Sequence, residues 1–277
     1  FHPVLCLSKA KGMVISLKKA ALAFWYEYKY DLLRQFRYKF SFLTNALVYI
    51  LLYCFIVFAN KSTGLTFYYA VNQTYDRILL LIGYTYWQFS SYALGISNSI
   101  IQEESASGML EAKLLSRSSV TLLLFSRLIS SMVVCIVAQL FVVIVSILLG
   151  IMETSYFSKY CIDLVVYTPS IFGMFGMGLL FGGATLIYKN IGQFIFLIQT
   201  GLLLITNVFG MQSQIPHYMI PYSIGMDIAR RLFLDITVMP GEWLYYFFLN
   251  IIWLMIGVKV FGLLLKKNKK YGYFNAY

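Results

Sequence analysis

The fold class of this chain is decided by residues 120–151, which read VTLLLFSRLISSMVVCIVAQLFVVIVSILLGI. The one ionisable side chain in this run, Arg127, lies toward its N-terminal end. A helix rises about 1.5 Å per residue, so roughly 20 residues cross a hydrocarbon layer about 30 Å thick. The run is long enough to cross as a tilted helix or to extend beyond the bilayer. We therefore predict a transmembrane helix here.

The composition of the whole chain agrees with this interpretation. Of the 277 residues, 60% are apolar and 12% are charged, and the mean hydropathy is +0.74. A soluble globular domain carries about 25% charged residues, and an outer-membrane barrel would show short alternating segments instead of long apolar runs. We predict an all-α integral membrane protein with six transmembrane helices, at 40–59, 78–101, 120–151, 162–188, 191–210 and 243–265.

Charge sets the predicted orientation of these helices. An even number of spans puts both termini on one side, and Lys and Arg accumulate in cytoplasmic segments. If the termini are cytoplasmic, the 22 basic residues fall on the inner side except for Lys61, Arg77, Lys159, Arg230 and Arg231. Topology and contact with anionic inner-leaflet lipid then explain the net charge of +11, and a nucleic-acid partner is unnecessary.

Three regions follow from this topology. Residues 1–39 are predicted to form a cytoplasmic N-terminus, 40–265 the six-span domain, and 266–277 a basic cytoplasmic tail. A basic helical pattern begins after Met13, so we expect residues 1–12 to be leader sequence. The four cysteines are scattered along the chain and predict neither a disulfide framework nor a metal cluster.

The N-terminal region contains the pattern of an amphipathic helix. Apolar residues recur at steps of three and four and so share one helical face: Ala21, Phe24, Tyr28, Leu32 and Phe36. The opposite face is predicted to carry Lys19, Glu27, Arg34 and Arg37. Such a helix lies in the plane of the inner membrane interface and runs into the first span. A solvated helix packed on another chain would show the same pattern.

Several motifs for chemistry are missing from the sequence. No Gly is followed by Lys, so a GxxxxGK[ST] phosphate-binding loop cannot occur and the chain cannot hydrolyse ATP by that route. The middles of the predicted spans carry almost no ionisable side chains, which disfavours coupling to an ion gradient. His2 and His217 fit no metal-binding or triad spacing. We predict no catalytic residue and no metal site, and any energy for transport must come from another polypeptide on the cytoplasmic side.

The predicted cytoplasmic loop between the second and third spans is rich in acids. Three of them lie within nine residues: Glu103, Glu104 and Glu111. Because acids are costly beside an anionic membrane face, a partner with basic or hydrogen-bonding groups would explain them. Gly108 can end one helix, and three leucines give the next short helix an apolar side: Leu110, Leu114 and Leu115. An ordinary charged turn would show the same pattern.

This loop resembles the E-x(n)-G-T-L-E-x-L-L-x-x-P-x-S signature of ABC-2 type transporter permeases, the membrane subunits of a class of ATP-binding cassette exporters. The resemblance rests on the acidic pair, on the run Gly108-Met109-Leu110-Glu111, and on the leucines and Ser119 that follow it. Two positions depart from the family pattern: Met109 stands where Thr is common, and Arg117 lies near the usual Pro.

The segment after the fifth predicted span agrees with the same resemblance. Three of its residues are similar to the family's stretch of short re-entrant helices at the outer surface: Pro216, Pro221 and Arg230. Four-residue spacing in this segment predicts an amphipathic helix that dips into the outer surface as a cap, with one side formed by Ile224, Ile228 and Leu232.

The resemblance implies a function. Residues 103–119 would be a coupling helix that docks on a separate nucleotide-binding subunit, helped by the helix at 17–36. Two such ATPase subunits would use ATP and Mg, with no cofactor bound by this chain, and a second permease chain, identical or related, would complete a dimer. The implied activity is export of a drug-like, peptide, lipid or glycan substrate across a bacterial cytoplasmic membrane. A non-transporting membrane anchor or sensor, and a six-span lipid-modifying enzyme, remain open as alternatives.

Polar side chains inside the predicted spans suggest a substrate path. Such groups face protein or a water-filled path rather than lipid. The candidates are Tyr53, Tyr86, Gln88, Asn98, Gln199 and Asn207. The same residues would equally serve aromatic belts and hydrogen bonds between helices. In the fourth span, Gly178 and Gly182 predict a close helix approach, which we assign to packing within the chain in preference to a dimer contact.

Overall fold

The computed structural model describes residues 2–59, 64–70, 73–115, 119–210 and 214–271, without the side chains at 2–17, 41, 66, 73–74, 214–216 and 271. Within these ranges the regular structure is helical, with one 3₁₀ turn at Thr154–Tyr156 and no strand. The helices are α1 (His2–Arg37), α2 (Lys39–Ala59), α3 (Leu65–Tyr69), α4 (Gln73–Ala106), α5 (Met109–Leu115), α6 (Val120–Leu148), α7 (Phe157–Tyr188), α8 (Gly192–Ile205), α9 (Gln214–Met219), α10 (Pro221–Phe233) and α11 (Pro240–Tyr271).

Four of these helices are long and apolar enough to cross a membrane, which fits a helical membrane protein. They contain the segments Phe42–Ala59, Val120–Leu148, Thr154–Tyr188 and Pro240–Lys270. The predicted spans at 78–101 and 191–210 correspond to α4 and α8. α8 has only 14 residues, about 21 Å of helix, and α4 is long but carries many amide and hydroxyl groups. α4 is buried among the other helices through most of its length, so its side chains pack on protein instead of lipid.

α7 lies at the centre of the described helices and packs on α4 and α11. Glycines on two sides of α7 make both approaches close. A Cβ at Gly178 would lie 2.7 Å from the carbonyl oxygen of Leu94 in α4, and a Cβ at Gly176 would meet the backbone of Trp253 in α11. Small residues let helix backbones approach in this way. The prediction that Gly178 and Gly182 serve packing within the chain is confirmed, because a Cβ at Gly182 would also meet α4.

Substitution at this contact gives a prediction with a matched control. We expect Gly178→Ala to destabilise the protein by about 1–3 kcal/mol, because the new methyl group must push α4 and α7 apart. At Gly201 in α8 an added Cβ would have no neighbour within 4 Å, so Gly201→Ala gains helix propensity without a clash. Thermal unfolding of both variants in detergent micelles measures the difference. Equal melting temperatures would show that the α4–α7 contact tolerates a wider spacing.

α1 packs on α6 with part of the predicted apolar face and with polar residues beside it. The most buried residue of its described side chains is Asp31, and Glu27, Arg34 and Gln35 turn toward the same side. Of the predicted apolar face, Phe24, Tyr28 and Leu32 are half-buried, whereas Phe36 is 43% exposed. Glu27 and Arg34, predicted opposite the apolar face, pair with charges on neighbouring helices: Glu27 with Lys113 of α5, and Arg34 with Glu103 of α4. The exposed side of α1 carries large apolar side chains of its own: Leu22, Trp25, Tyr26, Tyr30 and Leu33.

Two short helices, α9 and α10, lie between α8 and α11. α10 begins with Pro221, whose missing N–H suits the first turn of a helix. It packs on α7 and α4 and is almost completely buried, with Ile224 4% exposed and Ile228 1% exposed. The prediction of a surface cap at α10 was therefore wrong: both sides of this helix face protein. The side chain of Pro216, and the tail beyond residue 271, lie outside the described residues.

Candidate functional site

Seven charged side chains from four helices form one network, which we call the charged cluster: Glu27, Asp31 and Arg34 of α1, Glu103 and Glu104 of α4, Lys113 of α5, and Arg127 of α6. Arg127 lies at its centre. Its Nη1 is 2.7 Å from Glu104 Oε1, its Nε is 3.1 Å from Asp31 Oδ1, and its Nη2 is 3.3 Å from Glu103 Oε2. One guanidinium therefore joins α1, α4 and α6.

The charged cluster is largely removed from water. Asp31, Glu104 and Arg127 are each less than a tenth exposed, whereas about half of the Glu103 side chain reaches solvent. Asp31 also accepts hydrogen bonds from Ser130 and, at 2.6 Å, from Gln35. Buried ion pairs cost desolvation and persist when every charge has partners. The two acids predicted to require an external partner, Glu103 and Glu104, find basic partners in their own chain.

Helix α5 is fastened to this cluster by Lys113. The Lys113 Nζ lies 2.6 Å from Glu104 Oε1 of α4 and 2.6 Å from Glu27 Oε1 of α1. From the other side, Lys269 of α11 donates a hydrogen bond to the Leu114 carbonyl at 3.0 Å. α5 thus has polar connections to three other helices, although it is only seven residues long.

The faces of α5 differ from the prediction at one position. Gly108 precedes the helix with φ of 70°, a left-handed conformation in which glycine is favoured, as expected for the turn. Leu110 and Leu114 are buried against the rest of the chain. Leu115, predicted on the same apolar side, is 89% exposed. It follows Leu110 by five residues, which places it about 140° around the helix and away from the buried face. Glu111 is also exposed.

A cavity of about 640 Å³ opens beside the charged cluster. Six charged side chains line it: Glu27, Arg34, Glu103, Glu104, Lys113 and Arg127. Its other lining residues include aromatic rings from α1, α2 and α4 and from the residue between α1 and α2: Tyr30, Tyr38, Phe42, Tyr49 and Tyr92. We call this space the charged cavity. Sequence reasoning did not find it, although an arginine inside an apolar run and an aspartate in an apolar and basic helix were signals that two buried charges needed partners.

A second cavity of about 510 Å³ lies between α2, α4 and α8, and we call it the apolar cavity. Trp87, Gln199 and Leu203 are among its lining residues. Two hydrogen bonds fix its wall: Trp87 Nε1 donates to the Gln199 carbonyl at 2.8 Å, and Gln199 Nε2 donates to the Ser91 carbonyl at 2.7 Å. Gln199 is thus the one residue of the predicted substrate path that lines either of the two cavities described here.

The other predicted path residues lie in packing between helices and line neither cavity. Tyr53 accepts a hydrogen bond from Ser146 at 2.8 Å, and Tyr86 donates to the Asp163 carbonyl at 3.0 Å. Asn98 accepts a hydrogen bond from Thr185 at 2.6 Å. Gln88 and Asn207 are also buried, at 1% and 5% exposed. Within this chain the amides and hydroxyls of these five residues serve contacts between helices, and their assignment to a substrate path stays a prediction.

Arg230 fastens the segment after α8 to α4. Its guanidinium donates to the carbonyl oxygens of Leu79 at 3.0 Å, Asn207 at 2.6 Å and Val208 at 2.8 Å. Burial lowers the pKa of Arg230 from its usual value, an effect opposed by Tyr69 and Asp227 nearby. Two of these carbonyls, those of Asn207 and Val208, closely follow the C-terminal end of α8, where the helix dipole favours a cation. The predicted outer residue Arg230 is thus a structural clamp.

No protein-family model matches this chain, and neither does any curated protein sequence. The resemblance to ABC-2 type permeases therefore rests on the residues quoted above. What the chain does has to be argued from the charged cluster, from α5 and from the two cavities.

Proposed function

We propose that this chain is the membrane subunit of an ATP-driven exporter of the ABC-2 type, and that it acts as a dimer with two separate ATPase subunits. The observation that carries this proposal is the position of α5. The helix is exposed along one edge and bound along the other to three helices of the membrane domain. Such an element suits the transmission of force from a docked partner to the spans.

The exposed edge of α5 offers a mixed surface to a partner. Met109 is 47% exposed, Leu115 is 89% exposed, and Glu111 lies between them in sequence and is also exposed. These three side chains are open to a partner, and large apolar side chains such as Met contribute to the buried centre of protein interfaces. The partner proposed here is a cytoplasmic ATP-binding cassette protein. It would use ATP and Mg, for which this chain has no GxxxxGK[ST] loop.

The buried edge of α5 determines what a partner would move. Lys113 joins α5 to α4 and α1, and Arg127 continues the network into α6. A displacement of α5 cannot leave these helices unchanged, since packed interfaces change between discrete arrangements rather than deforming continuously. The proposal also includes six spans with cytoplasmic termini, an N-terminal interface helix and a location in a bacterial cytoplasmic membrane. The apolar exposed side of α1 and the basic flanks of the spans support it.

The proposal is tested by mass spectrometry and ATP hydrolysis on the gently solubilised complex. We expect an ATP-binding cassette protein to copurify and to hydrolyse ATP faster with this chain than without it. Glu111→Arg reverses the charge of an exposed residue of α5, and we expect it to weaken this association about tenfold and to remove the stimulation. Gly108→Val strains the turn before α5 and should act in the same direction.

Glu153→Gln is the matched control, because Glu153 is also exposed but lies between α6 and α7, far in sequence from α5. Association that survives both α5 variants contradicts the assignment of α5 as the docking helix. Partner binding without turnover would instead indicate a membrane anchor or sensor. Lipid-modifying activity from the purified single chain would indicate an enzyme.

A further inference from the structure

Asp163 is a carboxyl group buried in α7, within a segment that is long and apolar enough to cross a membrane, Thr154–Tyr188. The middles of the predicted spans carry almost no ionisable side chains. Asp163 stands near the start of the predicted span at 162–188, yet only 2% of it is exposed. An ionisable side chain at such a position is a candidate for a function, because its charge is costly there.

This carboxyl group has no counter-ion. Three other acids that are buried to a similar degree each form an ion pair with a basic side chain: Asp31, Glu104 and Asp227. In the described part of the chain, no basic group lies within 4.0 Å of the Asp163 carboxyl, and its Oδ2 is buried without a hydrogen-bond partner. An unpaired carboxylate costs far more to bury than the neutral acid does. The surroundings of Asp163 therefore favour the neutral acid.

Two neighbouring tyrosines use their hydroxyl groups elsewhere. The Tyr86 hydroxyl of α4 donates to the backbone carbonyl of Asp163 at 3.0 Å and not to its side chain. The Tyr160 hydroxyl lies 2.9 Å from the Thr85 hydroxyl and accepts a hydrogen bond from Gln139 at 2.8 Å. Neither ring stabilises a negative charge on the Asp163 carboxyl.

Lys159 is the cation nearest in sequence, and it is held by another acid. It precedes Asp163 by four residues in α7, a spacing that places two side chains on one helical face. Its Nζ lies 2.5 Å from Asp235 Oδ2 and 3.4 Å from the Phe233 carbonyl oxygen. Asp235 belongs to residues 234–239, which we call the α10–α11 turn. Among the described residues, α4, α6, α10 and α11 bring no charged side chain close enough to act on Asp163.

We propose that Asp163 is a proton-binding site, which holds its proton while Lys159 is paired with Asp235 and releases it when Lys159 turns to Asp163. In the release step the carboxyl O–H bond breaks, and its electron pair stays on the oxygen as a carboxylate beside the Lys159 ammonium. The proton passes to water at the open side of Lys159, whose side chain is 37% exposed.

Proton binding and the position of the α10–α11 turn are thereby linked. Protons favour the turn docked on α7 through Lys159, and displacement of the turn favours proton release, since each equilibrium shifts the other by the same free energy. This site goes beyond the proposed function and depends only on this chain.

Carbodiimide labelling tests whether Asp163 holds a proton. Dicyclohexylcarbodiimide is apolar and reacts with protonated carboxyl groups: the oxygen adds to its central carbon, the proton moves to a nitrogen, and the acyl group then shifts to nitrogen without a leaving group. The full chain in lipid nanodiscs is labelled at neutral pH, and the labelled residues are mapped by mass spectrometry. We expect at least about tenfold more label on Asp163 than on the exposed Glu153, because an ordinary carboxyl group in water is almost fully ionised at this pH. Equal or lower labelling of Asp163 overturns the proposal.

Two variants test the link to Lys159. Asp235→Asn removes the carboxylate that holds the ammonium, and we expect labelling of Asp163 to fall about tenfold as Lys159 turns to it. Adding Lys159→Met removes the cation and should restore the labelling. Glu153→Gln, which removes an exposed carboxylate elsewhere, should leave it unchanged. If Asp235→Asn is labelled at Asp163 like the unmodified chain, or if Lys159→Met restores nothing, Lys159 does not control the site.

Infrared spectroscopy detects the proton without a reagent. A protonated carboxyl group has a C=O stretching band separate from the bands of a carboxylate, and the difference spectrum between the unmodified chain and Asp163→Asn isolates the contribution of Asp163. We expect a protonated-carboxyl band at neutral pH that Asp163→Asn lacks. Carboxylate bands in its place overturn the proposal. Melting temperatures show whether the variants remain folded, and labelling of the unmodified chain depends on no variant. None of these measurements uses an ATPase, so failure of the proposed function leaves them interpretable.

Discussion

Replacing Arg127 by Met should destabilise the protein by about 3–5 kcal/mol, because two buried carboxylates lose their common partner. Asp31 and Glu104 are 2% and 3% exposed, so water cannot replace the guanidinium. Met keeps the length of the arginine side chain without its charge, which limits the loss of packing. Thermal and denaturant unfolding in detergent micelles measure the change.

Arg127→Met should also loosen α5 and α1 more than the rest of the chain. Both helices are bound to the charged cluster, α5 through Lys113 and α1 through Asp31. Hydrogen exchange should therefore increase in 109–115 and near Asp31 while α7 and α11 keep their protection. Arg37→Met is the matched control, because Arg37 lies exposed at the end of α1, and we expect its effect to stay within about 0.5 kcal/mol.

A double-mutant cycle separates the ion pair from the loss of packing. Combining Arg127→Met with Glu104→Gln removes a buried carboxylate that has already lost one of its two basic partners, so the double variant should be more stable than the sum of the single effects by about 2 kcal/mol. Additive effects would mean that Arg127 and Glu104 do not interact in the folded protein, and the charged cluster would have to be abandoned.

The elements that sequence predicted well are those decided by local pattern. The run at 120–151 became α6, Gly108 adopts the left-handed turn before α5, and the glycines of α7 pack within the chain. In each case the deciding property belongs to neighbouring residues: continuous apolarity, a conformation that favours glycine, or small residues one turn apart. Such properties are visible before any tertiary contact is known.

The charged cluster could not be predicted in the same way, because its pairs are far apart in sequence. Glu103 lies 69 residues from Arg34, and Arg127 lies 96 residues from Asp31. Helical periodicity assigns charged residues to the solvent face, yet a charge with enough partners can be buried. Glu27 and Arg34, on the face opposite the apolar stripe of α1, therefore have ion-pair partners on other helices. The signal available beforehand was Arg127 itself, a lone charge within an apolar run.

The polar residues of the interior show a related ambiguity. Tyr53, Tyr86 and Asn98 have the chemistry of path-lining groups, but hydrogen bonds between helices require that chemistry too. Only the arrangement of helices distinguishes the two uses. α4 shows the same ambiguity along its whole length. Its amides and hydroxyls lower the mean hydropathy of the helix, and burial against other helices keeps these groups away from lipid.

The second large effect is expected at Arg230, where replacement by Met should cost about 3–5 kcal/mol. The substitution leaves the carbonyls of Leu79, Asn207 and Val208 without the guanidinium donors that now bind them. Melting temperature reports the loss, and hydrogen exchange at 206–210 should show that the segment after α8 opens first. Arg231→Met is the matched control, because Arg231 is 22% exposed and its ion pairs with Asp227 and Glu242 are partly solvated, so about 1 kcal/mol is expected.

Substitution of Gly83 tests the position of the Arg230 guanidinium without removing the groups that form its hydrogen bonds. A Cβ at Gly83 would collide with the Arg230 guanidinium, so Gly83→Ala should destabilise the wild-type chain by about 2 kcal/mol. In the Arg230→Met background the flexible thioether can move aside, and the same substitution should cost far less. This non-additivity is specific to contact between the two side chains. If Gly83→Ala costs the same in both backgrounds, the guanidinium does not occupy the space beside Gly83, and the clamp between α4 and the end of α8 is not formed as described.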